Sequence, residues 1–130
     1  MIEVTCAIII NEDGQVLVTQ RSAEMKLPLK MEFPGGKIEA GETAEQCLIR
    51  EIKEELNLDI EIIQDMPANV HSYPDFSIKL MPFICRISAG TIVLKEHASW
   101  YWMEAVRLPG LDWAAADVPV MENYLKAIGM

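Results

Sequence analysis

GGKIEAGETAEQCLIREIKEELNL, residues 35–58, sets two glycines ahead of a helix crowded with carboxylates. Thr43 suits the N-cap and Gln46 can reach back to it, a T-x-x-Q capping box, while Gly41 frees the approach. Asn57 suits a left-handed stop. Stepping roughly 100° per residue gathers Ala44, Leu48, Ile49, Ile52 and Leu56 into one apolar stripe. Glu55 falls inside that stripe, Glu51 on its border and Glu54 a little beyond. Three carboxylates on one side of the last two turns repel one another, oppose the helix dipole and lose hydration at a buried edge. A bound divalent cation removes all three costs, whereas a solvated acidic face beside Arg50 and Lys53 leaves Glu55 pointing away from water.

The rest of the composition narrows the partners. With 130 residues and 51% hydrophobic content, the expectation is one domain, residues 1–130, with a full core. A net charge of −9 argues against nucleic-acid polymers and anionic membrane surfaces. Small phosphates stay accessible if a metal supplies positive charge. No apolar run is long enough to span a bilayer, and MIEVTCAIII lacks the basic start and small-residue cleavage site of a signal peptide, so a cytoplasmic location is expected. Cys6, Cys47 and Cys85 lie in apolar segments without a C-x-x-C pair and read as buried free thiols. Oligomeric state is not legible.

In chain order, Ile2–Ile10 and Gln15–Arg21 read as a β-hairpin across the turn Asn11–Gly14. Residues 22–31 read as a pocket-lining loop and Phe33-Pro34-Gly35-Gly36 as a sharp turn. A strand from Leu58, running on toward Val70, follows the helix. After a turn at Ser72–Asp75 comes a β-rich run, Phe76–Ile87, in which Pro82 suggests an edge or bulge. Gly90 separates it from Thr91–Leu94, and Trp100–Trp102 reads as a short strand. A closing helix spans Asp117 or Val118 to Ile128, with Pro119 in its first turn. The fold class is α/β in the broad sense (α+β): a mixed sheet with helices on opposite faces.

The central stretch resembles the Nudix box, the signature of the Nudix hydrolases. That pattern asks for Gly, five residues, Glu, seven residues, Arg-Glu, an aliphatic, any residue, Glu-Glu, any residue, Gly and an aliphatic. Gly36, Glu42, Arg50, Glu51, Ile52, Glu54, Glu55 and Leu58 match it; Asn57 replaces glycine, and Asn is the residue that best tolerates the same left-handed backbone. Together with MEFPGGKIE, the pattern is similar to the MutT-like branch. The resemblance implies a Nudix fold that sandwiches a mixed sheet between helices, and a nucleoside triphosphate pyrophosphohydrolase releasing a monophosphate and pyrophosphate. It implies Mg²⁺, with Mn²⁺ as a substitute, held by Glu51, Glu54, Glu55 and the carbonyl of Gly36, all hard oxygen donors. Glu42 and Arg50 pair structurally in this resemblance.

Other candidates lie outside the box. Glu96 occupies a loop position where similar MutT relatives place an additional metal-binding glutamate, which makes Glu51, Glu54 and Glu96 the catalytic candidates. Glu96 equally suits a surface charge, and His97 beside it reads as a solvated loop histidine. Arg21 and Lys37 are candidate phosphate ligands or plain exposed cations. Phe33 and Tyr73 are candidate base-stacking residues or plain core. Asp117, in a segment similar to the Ala-Asp-Ile-Pro run of CTP pyrophosphohydrolases, is either an N-cap or an acceptor-only reader of an exocyclic amine. The expected substrate is therefore CTP or a modified dCTP. The nearest alternative is oxidised dGTP, and a non-catalytic nucleotide-binding Nudix module is the alternative of another class.

Overall fold

In a computed structural model, which describes residues 1–130, strand β1 (Ile2–Ile9) lies between two apolar layers. Its period-two alternation sends Cys6 and Ile8 to one face and Ala7 and Ile9 to the other. The further elements are β2 (Val16–Gln20), β3 (Met31–Glu32), β4 (Gly35–Lys37), α1 (Ala44–Leu56), β5 (Leu58–Asp65), β6 (Asn69–Ser72), β7 (Ser77–Gly90), β8 (Ser99–Met103) and α2 (Val118–Ala127). Two 3₁₀ turns, Ala105–Gly110 and Ala115–Asp117, join β8 to α2. One sheet runs β4-β1-β7-β5, with β6 also pairing β7; a second runs β3-β2-β8. β1 and β7 pair in parallel and every other strand pair is antiparallel. Leu48, Ile52 and Leu56 of α1 pack with Ala7, Ile9, Leu58 and Phe83, whereas Val120, Met121 and Tyr124 of α2 pack with Cys6, Ile8 and Phe33. The expected mixed sheet between helices is the observed arrangement. No helix is long and apolar enough to cross a membrane.

Several local expectations give way to tertiary pairing. The turn at Asn11–Gly14 forms, but β1 and β2 meet only in the single bridge Ile10–Val16 and then diverge into different sheets, so there is no hairpin. Gly35 and Gly36 are not a sharp turn. They belong to β4, where Gly35 lies opposite Cys6 and Gly36 opposite Thr5. Pro82 sits on the central strand β7, not at an edge. Its carbonyl accepts from Met66 N–H, and its missing donor faces the Met66–Ala68 break that separates β5 from β6, so the strand begun at Leu58 stops before Val70. Thr91–Leu94 forms no strand; Val93 N–H instead donates to Leu56 O. Ile49 leaves the predicted stripe for solvent, and Cys47 takes a buried place on α1. All three cysteines are buried and free.

Gly35 is demanded by its neighbour strand. A Cβ there would stand 1.9 Å from Thr5 O, a backbone atom that cannot move without opening the β1–β4 ladder. Gly35→Ala is expected to lower stability by about 3 kcal/mol, read from the urea midpoint at constant slope.

Candidate active site

The helix α1 is built as its ends suggest. Thr43 Oγ1 accepts from Gln46 N–H at 3.1 Å, Gln46 Oε1 accepts from Thr43 N–H at 2.9 Å, and Asn57 closes the helix at φ 60°. Arg50 clamps the preceding loop onto it. Its Nε and Nη2 donate to the two oxygens of Glu42 at 3.0 and 2.6 Å, and Nη2 also reaches Lys37 O at 3.2 Å. This pairing holds the Glu42 carboxyl down at about 2. The remaining Arg50 nitrogen, Nη1, donates to Glu51 at 2.8 Å and Glu54 at 3.2 Å. These two glutamates are thus drawn toward Arg50, Glu54 with its side chain 59% exposed, and no three acidic, His or Cys side chains converge at ligand spacing.

Glu55 is different. Its Oε2 is buried without any partner, and burial, reinforced by Glu51 and then by Glu32 and Glu96, raises its carboxyl to about 9. Gly36 lies against the same group: a Cβ there would stand 2.2 Å from Glu51 Cδ and would push that carboxyl away from the Gly36 backbone. An orphaned carboxylate oxygen, a neighbouring carboxylate and a close-set backbone carbonyl form an all-oxygen donor set that fits a hard divalent cation.

From Gly36 and Glu55 a cavity of about 340 Å³ runs across the sheet to Asp117. Arg21, Phe33, Lys37 and Tyr73 all line it, so five sequence-selected residues outside the helix share one chamber with two of the box residues. Phe33 is also core, tilted against Trp113 with ring centroids 4.7 Å apart, and Tyr73 stacks on Phe76 at 4.9 Å. The Tyr73 hydroxyl accepts from Ala116 N–H at 2.8 Å, fixing the segment that carries Asp117. Asp117 does not cap α2. It is 6% exposed, and its Oδ1 accepts from Phe33 N–H at 3.1 Å across 84 residues. Burial, and then the nearby Glu32, push its carboxyl well above the usual range. Glu96 is exposed and does not line the cavity, although its charge reaches Glu55.

A model of the NUDIX domain matches residues 2–124. The chain belongs to the Nudix family. Nudix hydrolases act on phosphoric anhydride bonds of nucleoside diphosphate derivatives and generally use divalent metal ions. The 8-oxo-dGTP diphosphatase of Escherichia coli K12 is 33% identical over 120 residues, covering 92% of this chain and 93% of its own. The CTP pyrophosphohydrolase of the same organism is 33% identical over 125 residues, covering 96% and 92%. The solution structure of the E. coli ORF135 protein matches with a TM-score of 0.85 at 29% identity, covering 99% of this chain and 91% of that one.

Two residues beside the Nudix helix escape the sequence reading. Glu32 lines the cavity and bonds Arg21 Nη1 at 2.8 Å and His97 Nε2 at 2.7 Å. His97 is buried rather than solvated. Only the MEFPGG run points to Glu32 in sequence, and nothing local points to His97, because its partner lies 65 residues away.

Proposed function

We propose that this Nudix hydrolase is a Mg²⁺-dependent pyrophosphohydrolase of CTP or a modified dCTP, releasing a monophosphate and pyrophosphate. The observation that carries the reading is the single cavity joining the buried, unpartnered Glu55 to Asp117, with cationic and aromatic side chains between them. Gly36 O, Glu51, Glu54, Glu55 and Glu96 would hold Mg²⁺, for which Mn²⁺ can substitute. The metal's contribution when bound is to neutralise phosphate charge and acidify water. Arg21 and Lys37 bind the phosphate oxygens, and Phe33 and Tyr73 wall the nucleoside. Glu54 and Glu96 orient the water that attacks phosphorus and accept its proton.

At the base end the cavity carries Asp117 and Glu32 and no Asn or Gln side chain. Asp117 has one oxygen bonded to Phe33 N–H and the other left to accept from an exocyclic amine, which suits the N4 amine of cytosine. Glu32 beside it disfavours a base carbonyl. Oxidised dGTP is the second reading, since the E. coli 8-oxo-dGTP diphosphatase is 33% identical. Pyrophosphate release, measured by coupled phosphate detection across cytosine, adenine and native or oxidised guanine nucleotides, tests the choice. CTP or dCTP is expected to lead. A wide lead for oxidised dGTP would overturn the cytosine reading, and no release with either metal would favour a non-catalytic module.

The cation fit has its own test. In EDTA-treated protein at pH 7, Glu55→Gln removes a buried acid that has no partner, so stability is expected to rise by about 1–2 kcal/mol. The same variant loses the Mg²⁺-dependent rise in Tm that the unsubstituted protein gives. An unchanged Mg²⁺ shift in the variant would remove Glu55 from the ligand set.

A further inference from the structure

Glu96 lies between β7 and β8, in a stretch without regular structure, yet the proposed reaction needs its carboxylate beside those of α1. Two backbone bonds tie the stretch down: Lys95 N–H donates to Glu55 O at 3.2 Å, and Ala98 N–H donates to Gln20 O at 2.9 Å. Between them stands His97, its side chain only 2% exposed, with Nε2 2.7 Å from Glu32 Oε2. Its Nδ1 is buried and has no partner. An imidazole buried with one nitrogen unsatisfied is a poor way to fill apolar volume, which Leu or Phe would fill at lower cost. Its single bond is therefore the part of the side chain with a use. That bond does not end at Glu32, whose other oxygen accepts from Arg21 Nη1 at 2.8 Å, and Arg21 Nε in turn donates to Lys26 O. Arg21, Lys26 and Glu32 all line the nucleotide cavity.

We propose that His97 is a positioning residue: through Glu32 it fixes residues 95–98 so that the Glu96 carboxylate stands beside Glu55, and it joins that placement to the wall of the nucleotide cavity. The inference rests on the reading of Glu96 as a metal-side carboxylate. His97 touches neither phosphate nor metal in this scheme. A carboxylate only accepts, so Nε2 carries the proton directed at Glu32.

The test separates placement from packing. His97→Phe keeps a buried ring and loses the donor, whereas His97→Gln retains an N–H able to reach Glu32. His97→Phe is expected to lower kcat for CTP roughly 10-fold or more with little change in KM, and His97→Gln to recover most of it. Mn²⁺ affinity without nucleotide, read from the free-ion EPR signal, is expected to weaken by roughly the same factor in His97→Phe. In a Glu96→Gln background, adding His97→Phe is expected to change neither quantity further, because the two residues act as one unit. If His97→Phe does not fold, His97→Asn, too short to reach Glu32, takes its place. A shift in unfolding midpoint with kcat and Mn²⁺ affinity unchanged would overturn the proposal, as would additive losses in the double variant. If Glu96→Gln alone leaves both quantities unchanged, the metal-side reading of Glu96 fails and takes this inference with it. Loss in Glu96→Gln without loss in His97→Phe overturns the inference alone.

Discussion

Glu54→Gln is expected to lower kcat for CTP by roughly 10²–10⁴-fold while leaving the fold intact. The side chain is 59% exposed and its one intramolecular bond is the 3.2 Å contact with Arg50 Nη1, the weakest of that guanidinium's contacts with the glutamates it bonds. An exposed ion pair of this kind contributes about 1 kcal/mol at most, and Arg50 stays held by Glu42 and Glu51. The amide keeps size and shape but removes the negative charge that the proposed reaction uses to hold metal and take a proton. Circular dichroism and the urea midpoint should match the parent while pyrophosphate release collapses at saturating Mg²⁺. A near-normal rate would refute the assignment of Glu54.

Asp117→Asn is expected to move the base preference and not the chemistry. Asn keeps an oxygen for Phe33 N–H, so the 3.1 Å contact between the α2 start and β3–β4 survives. The other position becomes a fixed NH₂ donor beside Glu32, suited to a base carbonyl. The ratio of kcat/KM for CTP over guanine nucleotides should fall by roughly 10- to 100-fold, the size of one base-edge pairing. Removing an acid whose burial pushes its proton affinity up should leave Tm equal or higher. An unchanged ratio would reduce Asp117 to a tie between α2 and Phe33.

The box was readable because its determinants are local. The capping pair Thr43–Gln46, the left-handed Asn57 and the Glu42–Arg50 clamp each involve residues no more than eight positions apart, and each forms. Local signals misled where a long-range partner outweighed them. The Asn11–Gly14 turn predicts a hairpin, but β1 gains a longer parallel pairing with β7 and parts from β2. Two successive glycines suggest a turn, yet Thr5 O leaves no room for a Cβ at Gly35, and a Cβ at Gly36 would displace the Glu51 carboxyl. Asp117 before Val-Pro has every mark of an N-cap, but the nearby Phe33 N–H claims its oxygen. The Glu32–His97 bond has no local signature at all.

The parallel register of β1 with β7 also governs the order in which the chain can fold. Residues 2–9 emerge from the ribosome before the partners they need: Gly35–Lys37 on one side and Ile78–Cys85 on the other. Until β7 is made, β1 is an apolar strand with unpaired backbone on the β7 side, and the core that depends on it cannot close. Helix α1, with its caps complete, can form earlier but has no finished sheet on which to lay Leu48, Ile52 and Leu56. Fragments ending before Gly90 should therefore stay unfolded and sticky, and refolding should be slow for the chain's length. The site glutamates of α1 are synthesised in the first half of the chain, but they come into register only when the second half arrives.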